Sequence, residues 1–380
     1  MTYDRLNIKI EGEFIDSFLY SGTLFLVCAD SRLMMYDWEA VLKRTINLNS
    51  DDGQDKLDFL LDSRKGFSAY ESSYSDIIIE AGLLSKHLLF ETGLNEWPTD
   101  INVYANRFYM AGENGVDEIP YDWTTKQLNI REKFRVWNTY SYKVSANDSH
   151  RIAIAAGHNG IISALPRTGY IKREDVSTLL EVDSNDCQWI GSNLVANSLQ
   201  GSYLSIFADL PERPHGNVPP EYWNSLETAK RQPPISKQIS YDEGEPLYSW
   251  LGGSKIFSLL TSGAIAVSQR EKKGLSIENG DNVDILNIDQ GLLETRDVLS
   301  ARTGVFGTVI ETNTKLLYVN DSGVEVMASR PISWRVFPRA KSYANHLHVA
   351  MNDHLAITAY FGYDSGKNDN KFGFDANEIT

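Results

Sequence analysis

Residues 23–38 read TLFLVCADSRLMMYDW, and residues 107–123 read RFYMAGENGVDEIPYDW. Each stretch is a β-branched and aromatic run, then a tight polar turn, then a second run in which apolar and polar residues alternate. The turns are Asp30-Ser31 and Glu113-Asn114-Gly115, and both copies close on Tyr-Asp-Trp. Such runs suit a pleated, half-buried surface, and a short turn of Asp, Asn, Ser or Gly sends the chain back antiparallel. Two copies of one hairpin predict an architecture built by repetition.

Five further stretches follow the template. Residues 151–166 turn at His158-Asn159-Gly160, 192–209 around Gln200-Gly201, 255–271 through Thr261-Ser262-Gly263, 315–329 through Asn320-Asp321-Ser322-Gly323, and 346–361 at Asn352-Asp353. The third and fourth turns lie about forty residues apart, the length of one four-stranded propeller blade. Strand-like runs at 14–20, 100–104 and 333–337 precede their hairpins and are expected to be inner strands. Each small sheet has apolar residues on both faces, so only stacked neighbours bury it, and closing the stack into a ring removes the unburied ends. The expected fold is all-β, a β-propeller of about seven blades. Residues 6–10 alternate apolar and polar and are expected to give the last blade its outer strand, closing the ring. Only about thirty residues separate the sixth and seventh turns, so either blade six lacks a strand or the count is six or eight.

These hairpins resemble the central hairpin of WD40-like β-propellers, in which a strand, a short Asp- or Gly-containing turn and a further strand end on a Trp-Asp-like pair. The resemblance is architectural and covers most of the chain. Tyr36-Asp37-Trp38 and Tyr121-Asp122-Trp123 reverse the usual dipeptide, and the Gly-His pair is missing from the blade-to-blade loops, since Gly157-His158 lies inside a hairpin turn. The resemblance implies a divergent propeller and no particular member's biology.

Length and composition fit one domain over residues 1–380, with 42% apolar and 11% aromatic residues to build its core. A formal net charge of -15 repels phosphate backbones and anionic lipid, and the basic runs at 172–173 and 270–273 are short and separated. Neither nucleic acid nor a membrane is expected as a partner. The first residues show no secretory leader, and Cys28 and Cys187, both in strand-like sequence, are too few for a disulfide framework. A cytoplasmic protein with reduced, buried thiols is expected. Two insertions interrupt the repeat. Residues 51–73 carry a helix-like stretch with Leu57, Phe59, Leu60 and Leu61 on its apolar stripe, and residues 210–240 hold six prolines around a helix expected at 221–231. Residues 362–380 read as a polar tail.

Few residues point to chemistry. His346 and His348 lie two apart on one strand face and His354 follows the turn, the one grouping of metal-ligand type, and a site would need three such ligands to converge. Histidines on a propeller strand more often bond the neighbouring blade, so no metal and no cofactor are expected. The carboxylates Asp51, Asp52, Asp55 and Asp58, and those of the tail including Asp375, lack the spacing of a calcium loop and read as solvated. No nucleophile elbow or phosphate-cradling loop is present. The expected function is therefore non-catalytic, a scaffold that binds protein partners. Tyr222 and Trp223 in the proline-rich insertion are its candidate anchors, because interface energy concentrates in such side chains. The alternative is an enzyme, or a carbohydrate or small-ligand binder, with its site in the central channel.

Overall fold

The computed structural model describes residues 4–65, 67, 76–147, 151–167, 170–269, 283–287, 298–361 and 371–378. Parts of the 51–73 insertion, the basic run at 270–273 and residues 362–370 of the expected tail lie outside them. The strands form seven sheets, antiparallel throughout except for one added edge strand. Their inner strands are Phe14–Tyr20, Asp100–Tyr104, Lys143–Ala146, Ser184–Ile190, Pro246–Gly252, Val298–Gly304 and Ser333–Val336, and they define blades one to seven. Each inner strand touches the next, and the seventh touches the first. The ring is a seven-bladed propeller. Its core is divided among the seams between blades, where fully buried Phe25, Phe108, Trp189, Trp250, Phe257 and Phe306 pack.

Six of the seven hairpins in the sequence join the second and third strands of a blade. The stretch at 315–329 does not. In blade six the second to fourth strands are Gly307–Thr312, Lys315–Asn320 and Gly323–Ser329, so that stretch is the outer hairpin and the middle one turns at Asn313-Thr314. The expectation of a missing strand, or of six or eight blades, is corrected. The cause is turn chemistry: Asn320-Asp321-Ser322-Gly323 is the stronger turn signal, with Gly323 at φ 131°, and it marks the wrong hairpin.

Closure follows the sequence. The strand Asp4–Glu11 pairs antiparallel with His354–Phe361, with Leu6 opposite Ala359, Ile8 opposite Ile357 and Ile10 opposite Leu355. These three side chains are almost wholly buried. Unforeseen is a fifth strand, Ile77–Ile79, which returns from the first insertion and pairs parallel to the amino-terminal strand.

In a four-stranded antiparallel blade, the loop leading into the inner strand and the turn between the second and third strands share one face of the ring, here called the front. The connections between strands one and two and between three and four lie on the back. Both insertions join third to fourth strands and so sit on the back. The first begins with α1 (Trp38–Thr45), whose amino terminus is capped when Asp37 accepts from Ala40 N–H at 3.2 Å, and continues with α2 (Gly53–Leu61) and the single turn α3 (Ala81–Leu84). Trp38, Leu42, Leu57, Phe59 and Leu60 are buried, and Ser63 N–H bonds Ser342 O of the blade-seven loop at 3.0 Å. Asp52, expected to be solvated, is buried and pairs with Lys56 at 2.8 Å. The second insertion carries α4 (Pro220–Arg231), which opens on proline as helices favour. Of the expected polar tail, residues 371–378 are not free: Phe372 and Phe374 are buried, Thr308 Oγ1 donates to Phe372 O at 2.7 Å, and Lys255 Nζ donates to Gly373 O at 3.0 Å. The back is thus largely covered by the chain itself.

The amino-terminal strand should hold the ring as a unit. Ile8→Ala is expected to lower stability by about 3 kcal/mol, the usual cost of emptying a packed aliphatic site. Urea denaturation followed by circular dichroism and tryptophan fluorescence should show one shifted transition for both probes; an unchanged midpoint would count against closure by this strand.

Candidate functional site: the channel and its front rim

The inner strands bring charged residues from different blades to the axis. Arg335 of blade seven donates to Asp16 Oδ2 of blade one at 2.7 Å and to Asp100 Oδ1 of blade two at 3.1 Å, and Lys143 of blade three lies 3.5 Å from the same Asp100 oxygen. Asp100 Oδ2 also accepts from Val144 N–H at 3.1 Å. Across the channel, Arg302 of blade six donates to Asp186 Oδ1 of blade four at 2.6 Å and to Tyr248 Oη of blade five at 3.3 Å, while the Tyr248 hydroxyl donates to Asp186. The first chain spans blades seven, one, two and three, and the second spans four, five and six. The gaps are bridged too. Trp189 N–H donates to Ser145 Oγ at 3.1 Å between blades three and four, and Trp334 Nε1 donates to Glu311 Oε2 at 2.8 Å between seven and six.

Three buried acids thus face three bases. Burial pushes the Asp16 carboxyl up against the opposing pull of Arg335. For Asp186 burial acts upward, but the charge and hydrogen bond of Arg302 outweigh it and hold the carboxyl below its usual range. Burial lowers the Arg302 and Arg335 guanidiniums, and their acidic partners more than reverse this. These pairs tie blade to blade across the channel.

Beside them the channel holds a cavity of about 450 Å³, walled by Phe18, Trp97, Tyr104, Trp334 and Phe337. Arg339 reaches over the Tyr104 ring at 4.3 Å and donates to Ala146 O, spanning the back of the channel from blade seven to blade three. Asn102 Oδ1, also in the cavity wall, is buried with no hydrogen-bond partner among the described residues. Its lining runs from Trp97 and Ile332 at the front to Tyr104 and Arg339 at the back, and exposed apolar side chains stand at the front ends of five inner strands. Trp97, Tyr140 and Tyr142 lie on loops leading into inner strands, Ile332 directly precedes one, and Leu247 and Leu299 are second residues of theirs. Trp97 is 57% exposed, and Leu199, in the blade-four turn farther out, 93%. No sequence motif marks this ring, because its members come from five different blades. The available signal is an apolar residue at or just ahead of the start of five inner strands, legible only once the blades are framed.

The histidines divide. His346 and His348 are buried on one face with ring centroids 6.1 Å apart, and Ser17 Oγ lies 2.9 Å from His348 Nδ1. His354 sits at the turn beyond them, 2.6 Å from Asp353. The structure does not bring the three together, and no group of three or more metal-ligating side chains converges among the described residues. Ser17 and His348 form a nucleophile-base pair in kind, but both are sealed in the seam between blades one and seven, out of reach of substrate. Cys28 and Cys187 are buried free thiols, and burial pushes the Cys28 thiol up to about 11, which makes it unreactive.

Tyr222 and Trp223 lie on α4, ring centroids 5.2 Å apart and edge to face. Tyr222 is half-buried and Trp223 is 50% exposed. The helix is held by buried Leu226 and by Arg151, which donates to Lys230 O.

No family model matches the chain, and no curated protein matches it. Among solved structures it is similar to a chain of a mitotic checkpoint complex, at 9% identity over 94% of this chain and 90% of that one with a TM-score of 0.46. It is also similar to BamB from Moraxella catarrhalis, at 10% identity over 90% and 80% with a TM-score of 0.42.

Two outcomes test the reading of these residues as structural. Arg302→Met leaves Asp186 buried without its cation and is expected to cost about 3 to 5 kcal/mol in urea denaturation, whereas Arg302→Met with Asp186→Leu recovers much of the loss. Unchanged stability of the single variant would refute the network's role. Burial lowers His346 to about 3, and burial, His346 and Arg335 lower His348 well below its ordinary value. The unfolded chain takes up these protons near pH 6.5 and the folded chain does not, so stability is full above that pH and falls as pH drops toward 3. Each histidine contributes about 1.4 kcal/mol per pH unit in that window. His346→Leu should flatten the stability profile between pH 6 and 4, as read from melting temperatures; a parallel profile would show that His346 protonates freely in the fold.

Proposed function

We propose that the protein is a non-catalytic scaffold that docks a partner protein on the front of the ring. The exposed apolar side chains at the front ends of five inner strands carry this reading, since clustered exposed apolar side chains mark an interaction site. The ion-paired channel keeps that surface on a rigid support, and the insertions and carboxyl-terminal residues occupy the back. A cytoplasmic location is part of the proposal, consistent with two buried free thiols. Tyr222 and Trp223 are proposed as a second, smaller contact, because a half-exposed tryptophan braced by a tyrosine offers apolar area at little entropic cost. The competing reading, a small polar ligand held in the channel, is favoured by the cavity and by the unpartnered Asn102 oxygen.

A partner identified by co-purification from the native host, then purified, supplies the test. Trp97→Ala with Leu299→Ala should leave the circular dichroism unchanged and weaken binding by about 2 kcal/mol or more, roughly thirtyfold. Tyr222→Ala with Trp223→Ala should weaken it less. If neither pair alters the affinity, the proposed surfaces are wrong.

A further inference from the structure

The charge of the two faces differs in a way that names the partner's chemistry. On the front, exposed carboxylates stand on the loops and turns outside the apolar ring: Glu13, Glu113, Glu181, Glu243, Glu245 and Asp353. The first five have no ion-pair partner among the described residues. Against them, Arg330 is the exposed cation on a described front loop, and the exposed Arg32 and Arg135, which reach the front turns from strands, are already paired, Arg32 with Asp30 and Glu91 and Arg135 with Asp117. The back is mixed: Lys43 pairs with Glu39 on α1, Arg64 with Asp62 after α2, and Arg231 lies near Glu227 on α4. The acidity of the front is therefore a property of that face and not a share of the net charge. An unneutralised carboxylate field around an apolar centre attracts cations and repels anions, steering which partner arrives and in what register. In the cavity wall, the unpartnered Asn102 oxygen presents an acceptor where a donor is missing.

We propose that the front face receives a segment of a partner protein whose apolar centre is flanked by lysine and arginine. The apolar residues seat on Trp97, Leu299 and Ile332, and the basic flanks reach the carboxylates outside them. This rests on the scaffold reading and adds the partner's chemistry to it.

The test uses the full chain and two fluorescent peptides with the same Leu-Trp-Leu centre, one flanked by lysine and arginine and the other by glutamate. In anisotropy titrations the basic peptide should bind, weakening as salt rises from low to physiological, and the acidic peptide should bind at least tenfold more weakly. Glu243→Lys with Glu245→Lys, both on an exposed loop and harmless to the fold, should weaken the basic peptide by about tenfold and leave the acidic one unchanged or tighter. Equal binding of the two peptides, no binding by either at about a millimolar, or indifference to charge reversal overturns the inference. So does self-association through this face, read by sedimentation. If the inference fails while Trp97→Ala with Leu299→Ala still abolishes capture of the purified partner, the docking face stands and only its charge preference is wrong.

Discussion

Everything in this ring depends on the seventh sheet meeting the first. A blade has two apolar faces and neither is buried alone, so each of the seven seams must be made by two blades far apart in stability terms until the circle closes. The amino-terminal strand makes that closure by lending its backbone to the last blade, with Leu6, Ile8 and Ile10 filling the seam. The closing seam also holds the two most deeply buried histidines and the Ser17 to His348 contact. Polar groups are thus concentrated where the circle is joined, which fixes one register and one partner for the joining strand.

The channel applies the same logic with charge. Buried ions are costly unless paired and further hydrogen-bonded, and here each acid finds a base on another blade. The pairing is useful only in the closed ring: Arg335 has no acid on its own blade among its partners, and Arg302 none on blade six. A ring opened between blades seven and one would lose the pairing of Arg335 with Asp16 and Asp100, and a compact ring of another blade number would bury charges without these partners. The arrangement therefore discriminates against wrong closures more than it adds to the stability of the right one.

Much of this was legible in the sequence. Seven hairpins, the inner strands at 14–20 and 100–104, the closing strand at 6–10, the helix around Leu57 to Leu61 and that at 221–231 all follow from local pattern, because alternation and turn residues act over a few positions. Blade six was misframed because a strong turn at Asn320 to Gly323 outshouted a weak one at Asn313-Thr314, and only the ladder decides which hairpin is central. The channel network was invisible for another reason. Asp16, Asp100, Asp186, Arg302 and Arg335 sit singly in separate strands, and nothing local distinguishes them from solvated charges. The same holds for the front ring, while Tyr222-Trp223 stood out merely because its two aromatics adjoin. The burial of Phe372 and Phe374 inside a segment polar by composition is likewise a tertiary effect.

The joining strand also sets an order of events. On the ribosome, residues 4–11 are made before the blade they complete, since Ile8 pairs with Ile357. Until residues 354–361 are made, this alternating apolar strand lacks its antiparallel partner and can pair only with Ile77–Ile79, and its long-range pairing is the slowest kind to form. It must be kept from adding to some other sheet edge, its own or another chain's, until the last hairpin emerges. A nascent-chain chaperone, or a partner that masks the strand during translation, would act on this protein through that single segment.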